Sequence, residues 1–210
     1  MKKLLLLAAS PVLFLAATGC EQAQKTQEAY GNLSKLKEAG GKLEATLDAA
    51  KEHRAERVKN GDTLALPYKD LEKYLPAEVS GYTAAEPSGQ SMKTAGMAFS
   101  SAERKFTKDS VEVTVKIMDY NGANQLYQGV AALASLGLES EDDETLLRAA
   151  PLTQNGVKGT ETFHKKTGEA DVTLAVGDRF TVTVSGTHQK DLAQVEAVAK
   201  SLDLDAMAKL

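Results

Sequence analysis

The side chains able to do chemistry are few and scattered. Three histidines, His53, His164 and His188, fall at no spacing that would bring two of them to one metal ion, and there is no His-Glu-x-x-His pair. A metal centre is not expected. Five carboxylates crowd into residues 139–144: Glu139, Glu141, Asp142, Asp143 and Glu144. Carboxylate oxygens suit Ca²⁺, but the run lacks the glycine and ligand spacing of an EF-hand loop. It reads instead as solvated charge, with Ser140 or Asp142 capping a short helix whose positive end the other carboxylates favour. His164, Lys165 and Lys166 would make a basic patch with Arg104 and Lys105 only if their strands were neighbours. The chain has one thiol, Cys20.

Fragments of catalytic motifs are present without their partners. Ser34-Lys35-Leu36-Lys37 fits S-x-x-K and Lys166-Thr167-Gly168 fits K-T-G, two elements of the penicillin-binding signature. The S-D-N element is missing, the serine lies on the polar side of a helix where no cleft excludes water, and Lys166-Thr167-Gly168 is accounted for as a hairpin turn. There is no G-x-S-x-G, P-loop or dinucleotide fingerprint. No catalytic, cofactor-binding or metal-binding residue is expected, and the chain is read as a non-enzyme.

The thiol is different, because its surroundings are specific. Met1-Lys2-Lys3 is a positive start, residues 4–17 are apolar apart from Ser10 and Pro11, and Thr18-Gly19-Cys20 follows. The run is short for a bilayer span and has the flanks of an export signal. Ala17-Thr18-Gly19-Cys20 resembles the lipobox of bacterial lipoproteins, with Ala17 where Leu is favoured. The resemblance implies removal of residues 1–19, alkylation of Cys20 by diacylglycerol, and a membrane-held mature chain. Glu21, rather than Asp, beside the cysteine implies the outer membrane, facing the periplasm, over the inner membrane. The competing reading is an ordinary secretory signal with Cys20 incidental. Lipidation is favoured because the only cysteine sits at the one place lipidation needs it. A lone thiol also leaves no intramolecular disulfide.

With 210 residues the chain holds one domain and a tail. Lys2 and Lys3 leave with the signal, so 23 basic residues face 29 acidic ones, a balance of −6. That excludes a sequence-blind nucleic-acid binder. Residues 20–62 contain no Pro and many strong helix formers, and read as a helical tether. Leu33, Leu36, Leu43, Leu47 and Ala50 form a seam of period 3.5, divided by Gly40-Gly41, while Arg54 and Arg57 take its later positions. Either residues 29–50 oligomerise as a short coiled coil, or the helix spaces the domain from the lipid and lays its leucine face on it. The broken seam favours the tether.

The globular part is expected over residues 63–210. A short helix over 68–75 ends at Pro76, and residues 81–94 read as an extended strand with a loop. Residues 97–106 followed by 111–119 read as a hairpin turning at Lys108-Asp109, because Val111, Val113, Val115 and Ile117 alternate with Glu112, Thr114 and Lys116. Asn121 is taken as the N-cap of a helix carrying Ala123, Leu126, Tyr127, Val130, Leu133 and Ala134 to Gly137. Residues 145–150 read as a helical turn, then strands over 157–165, 171–176 and 179–185. A three-residue Gly177-Asp178-Arg179 loop puts Val172, Leu174 and Val176 on the same face as Phe180, Val182 and Val184. Residues 190–202 form the last helix. The expected fold is α+β: an antiparallel sheet of about five strands in ββαβββα order, helices on one face, preceded by the tether.

Helices on one face would leave Thr173, Ala175, Thr181 and Thr183 on an open, polar face suited to a protein partner. The leading functional reading is a non-enzymatic envelope lipoprotein acting by protein interaction. A carrier of a small apolar ligand, held between helix and sheet near Met97, Phe99 and Tyr127, stands second. A hydrolase stands third.

Overall fold

Strands run further along this chain than its valines advertise, and the described residues form one antiparallel sheet of nine strands. The computed structural model describes residues 41, 44–45, 47–94, 97–123, 127–129, 131–132, 137–152 and 157–210. The strands are β1 (Thr83–Ala84), β2 (Ser88–Thr94), β3 (Met97–Lys108), β4 (Val111–Gly122), β5 (Ser140–Glu141), β6 (Thr145–Ala149), β7 (Val157–His164), β8 (Glu169–Val176) and β9 (Phe180–Thr187). They lie in the order β1-β3-β4-β9-β8-β7-β6-β5, with β2 also paired to β3. Helical residues 47–59 form α1, and α2 (Tyr68–Leu71) runs into a 3-10 turn. Helical residues 127–129 and 131–132 form α3, and α4 (Ala193–Ser201) and α5 (Leu204–Ala208) follow β9.

One face of the sheet carries the core. Val113, Val115 and Ile117 of β4, Val172, Leu174 and Val176 of β8, and Phe180, Val182 and Val184 of β9 are buried together. Leu71 covers them at one end, and Val195, Val198, Ala199, Leu204 and Met207 of α4 and α5 cover the rest. Each such side chain contributes about 1.5–3 kcal/mol by leaving water. The register between β8 and β9 follows from that burial: Val176 faces Phe180, Leu174 faces Val182 and Val172 faces Val184. The connecting loop is Gly177-Asp178-Arg179, as the apolar pattern requires. Thr173 faces Thr183 and Ala175 faces Thr181 on the opposite face, but it is not the open face expected, since Ala175 and Thr181 are buried there.

The expected architecture is otherwise overturned. The sheet has nine strands where about five were predicted, the helices are few and short, and they occupy both faces. Tyr127 and Ala131 of α3 pack on Ala175 and half-bury Tyr120, on the side away from the core. Residues 145–150 are not a helical turn. β6 pairs with β7 from Thr145 opposite His164 to Ala149 opposite Thr160. A segment that short cannot nucleate a helix alone, whereas a neighbouring strand offers it a ladder and buries part of Leu146. The β3–β4 turn falls one residue later than predicted, at Asp109-Ser110, since Lys108 pairs with Val111 and Asp109 takes φ 53°. The helix expected over 190–202 is α4, Ala193–Ser201, and α5 follows it as an element not foreseen.

The helical N-terminal tether expected over residues 20–62, as an element preceding a domain that begins at 63, is corrected as well. α1 belongs to the compact unit Ala39–Leu210, and Ala50 of its seam is buried. Leu33, Leu36 and Leu43, and with them most of the proposed 29–50 oligomerising helix, lie outside the described residues.

Candidate functional site

On β4 the residues after Val113, Val115 and Ile117 at the same every-second spacing are Asp119 and Asn121, and both are fully buried. The period that sinks valines into the core thus also sinks a carboxylate and an amide. A buried carboxylate needs a cation and further donors. Arg179, from the β8–β9 loop, supplies the cation: its Nε donates to Asp119 Oδ1 at 3.0 Å and its Nη2 to Oδ2 at 2.8 Å. The backbone N–H of Leu66 donates to Asp119 Oδ2 at 2.8 Å, and that of Asn121 to Oδ1 at 2.8 Å. Arg179 Nη1 reaches on to Asp62 Oδ2 at 2.9 Å.

Asn121 is therefore a strand residue and not a helix N-cap. Its Nδ2 donates to Asp62 Oδ1 at 2.7 Å and to the Leu64 carbonyl at 3.1 Å. Acceptors on that side fix the amide, so its oxygen must face the other way. There it receives two guanidiniums of α1: Arg54 Nη1 at 2.6 Å and Arg57 Nε at 3.1 Å. Arg57 Nη2 also donates to the Asp178 carbonyl at 3.0 Å, and His53 Nδ1 lies 2.6 Å from Asp178 Oδ2. Both arginines are received by neutral oxygens. Burial, then repulsion from Arg179 and Arg54, pulls the Arg57 pKa below its ordinary value.

Beside this junction an open cleft of about 650 Å³ lies between α1, the β8–β9 loop and α5, with His53, Glu56, Arg57, Asp178, Asp205 and Lys209 among its walls. The His53–Asp178 pair has the form of a base and its orienting carboxylate, but among the described residues the lining holds no Ser, Thr or Cys to serve as nucleophile. The arrangement suits recognition of charged, hydrogen-bonding groups.

A second buried polar group stands apart. Glu161, in the middle of β7, is fully buried, bonds Arg148 of β6 through Oε1, and has no hydrogen-bond partner at Oε2 among the described residues. Arg148 Nη2 continues to Glu196 of α4 at 3.0 Å, and Glu196 to Lys200 at 3.0 Å. Burial, with Glu196 nearby, holds the Glu161 carboxyl above the usual carboxylate range against the opposing pull of Arg148.

Cys20, the predicted lipidation site, and Ser34 lie outside the described residues. The three histidines stay separate: His53 on α1, His164 at the end of β7, and His188 beyond β9 with φ 54°. The five-residue basic patch does not form, because β4, β9 and β8 separate the strand of Arg104 and Lys105 from that of His164. Lys165 instead bonds Glu141 at 2.8 Å and Lys166 bonds Glu144. The acidic run is thus pinned to the β7–β8 turn. Asp142 caps no helix: its Oδ1 receives the N–H groups of Glu144 and Thr145 in a turn leading to β6, which holds its carboxyl below the usual range. Among the described residues no group of His, Cys, Asp and Glu could hold a metal ion, and no helix is long and apolar enough to cross a membrane. Met97 is exposed on β3, while Tyr127 packs in the separate cluster under α3.

Sequence reasoning missed Asp119, Arg179 and Asp62 as a site. Two signals were present: the extension of the β4 period through Asp119 and Asn121, and the arginines interrupting the leucine seam. No protein-family profile, curated protein or solved structure matches the chain.

Proposed function

We propose that this chain is a lipid-anchored lipoprotein of the cell envelope, held through Cys20 to the outer membrane on its periplasmic side, and that it acts non-enzymatically by binding another protein. The observation that carries the anchor is the position of the only cysteine, directly after Ala17-Thr18-Gly19 at the end of an apolar run with a Lys2-Lys3 start. Two or three acyl chains, at about 0.8 kcal/mol per buried methylene, make such an anchor effectively permanent. The interaction role is supported by the end of the sheet, where the buried Asn121 amide receives two guanidinium groups and the described lining of the adjoining cleft holds no Ser, Thr or Cys. The test is Cys20→Ser in the producing cell. The wild-type chain is expected to pellet with membranes and to incorporate labelled palmitate, and the variant to do neither. A variant that still pellets, with unchanged gel migration, overturns the anchor.

A further inference from the structure

We propose that the end of the sheet formed by Asn121, Asp62 and Asp178 is a docking site for an arginine-bearing helix of a partner protein, and that α1 closes it in cis as an exchangeable strap. This rests on the reading of the chain as an interaction module, and is independent of the lipid.

The strap is held by little apolar surface. Of residues 47–59 only Ala50 is buried, and Val58 is 48% exposed. What holds α1 is a set of polar bonds, from Arg54 and Arg57 to Asn121 and Asp178 and from His53 to Asp178. The dehydration of Arg57 works against these bonds. A helix held mainly by polar bonds stays closed because it is covalently near, an effective-concentration effect that a partner with more apolar contact can overcome.

The socket, in contrast, is built without the strap. Asp119 and Arg179 form their fork, and Asp62 holds Asn121 and Arg179, through residues that all lie after α1. The strap joins at Asn60-Gly61, a helix end with Gly61 at φ 80° and the Asp62 N–H on the Arg57 carbonyl at 2.9 Å. α1 can therefore leave while Asp62 stays. The vacated end would present the Asn121 amide oxygen and the Asp178 carbonyl that now receive the two guanidiniums. Two arginines one helical turn apart, as Arg54 and Arg57 are, match those acceptors in spacing and reach.

The experiment uses the full chain carrying Arg54→Ala and Arg57→Ala, with a helical peptide of residues 47–60 as probe, stapled across the exposed positions 51 and 55 and labelled for anisotropy. The variant should bind the peptide at least about tenfold more tightly than the wild-type chain, whose own strap competes. Adding Asn121→Ala, or replacing both arginines of the peptide by alanine, should abolish binding. No saturable binding by the variant up to about 1 mM, or equal binding of the arginine-free peptide, overturns the proposal. Hydrogen exchange on the wild-type chain supplies a readout that does not depend on the variant folding. Amides of 50–59 should exchange far faster than those of β4, and equal protection of the two also overturns it. Neither outcome bears on membrane pelleting of Cys20→Ser, so the two proposals fail separately.

Discussion

The guanidinium of Arg179 and the carboxylate of Asp119 meet edge to edge inside the fold, with paired bonds of 3.0 and 2.8 Å and side chains 3% and 0% exposed. Sixty residues of sequence separate them. The pair ties the β8–β9 loop to the end of β4 and leaves Arg179 Nη1 for Asp62, so one cation organises the floor of the socket.

Removing one partner of a buried pair strands the other charge, which costs about 3–5 kcal/mol. Arg179→Met is expected to lose that much stability in urea unfolding. Arg179→Lys should fall between it and the wild type, because an ammonium keeps the charge but cannot make the two-bonded fork. The double variant Arg179→Met, Asp119→Leu should lose less than the sum of the single changes.

What the sequence made legible was local. The alternation over 111–117 fixed the hairpin, and six apolar residues around Gly177-Asp178-Arg179 fixed a loop length that turn preference alone would have set wrongly. Elements that depend on a distant partner were misread. Thr145–Ala149 is a strand because β7 lies beside it, and Asn121 looked like a helix cap because Asp62, 59 residues earlier, is invisible to a local window. The socket left a trace all the same. Arg54 and Arg57 registered as flaws in an apolar seam, and those flaws are the contacts with Asn121. The sheet was undercounted for a plainer reason: β5 has only two residues, β6 reads as a helical turn, and the extended 81–94 segment that contains the fully exposed β2 has no place in the expected ββαβββα order.

Glu161 should make stability depend on pH with a definite sign. Its folded pKa lies above the ordinary value near 4.5, chiefly because burial disfavours the carboxylate. The native state then binds the proton more tightly than the unfolded chain. The stabilisation this gives is fully present below the unfolded pKa and is lost as pH rises through the folded one. Glu161→Gln cannot titrate, so the wild-type minus variant difference in unfolding free energy should fall from acid toward neutral pH. Arg148, Glu196 and Lys200 are the charged groups around it, and Arg148 is held above its ordinary pKa, so it stays charged throughout. Chemical denaturation of both proteins between about pH 4 and 8 reads the difference, and a flat difference would mean that Glu161 does not titrate there.

The β8–β9 loop places its own demand on Gly177, which sits at φ 59° immediately before Asp178 at φ 52°. A side chain at that backbone angle costs about 1–2 kcal/mol. A Cβ there would also lie 2.8 Å from the Cα of Ala208 and 3.0 Å from its carbonyl oxygen, so the backbone of α5 would have to move. Gly61 offers the comparison: it too has positive φ, 80°, but nothing lies within 4 Å of a Cβ built on it. Gly177→Ala is therefore expected to destabilise the fold more than Gly61→Ala. The damage should also be placed differently. Displacing the loop moves the Asp178 carbonyl that receives Arg57, so Gly177→Ala should speed hydrogen exchange in α1 and α5 together while the β3–β4 hairpin keeps its protection. Equal destabilisation by the two substitutions would show that the approach of α5 to the loop adds nothing to the strain of the turn.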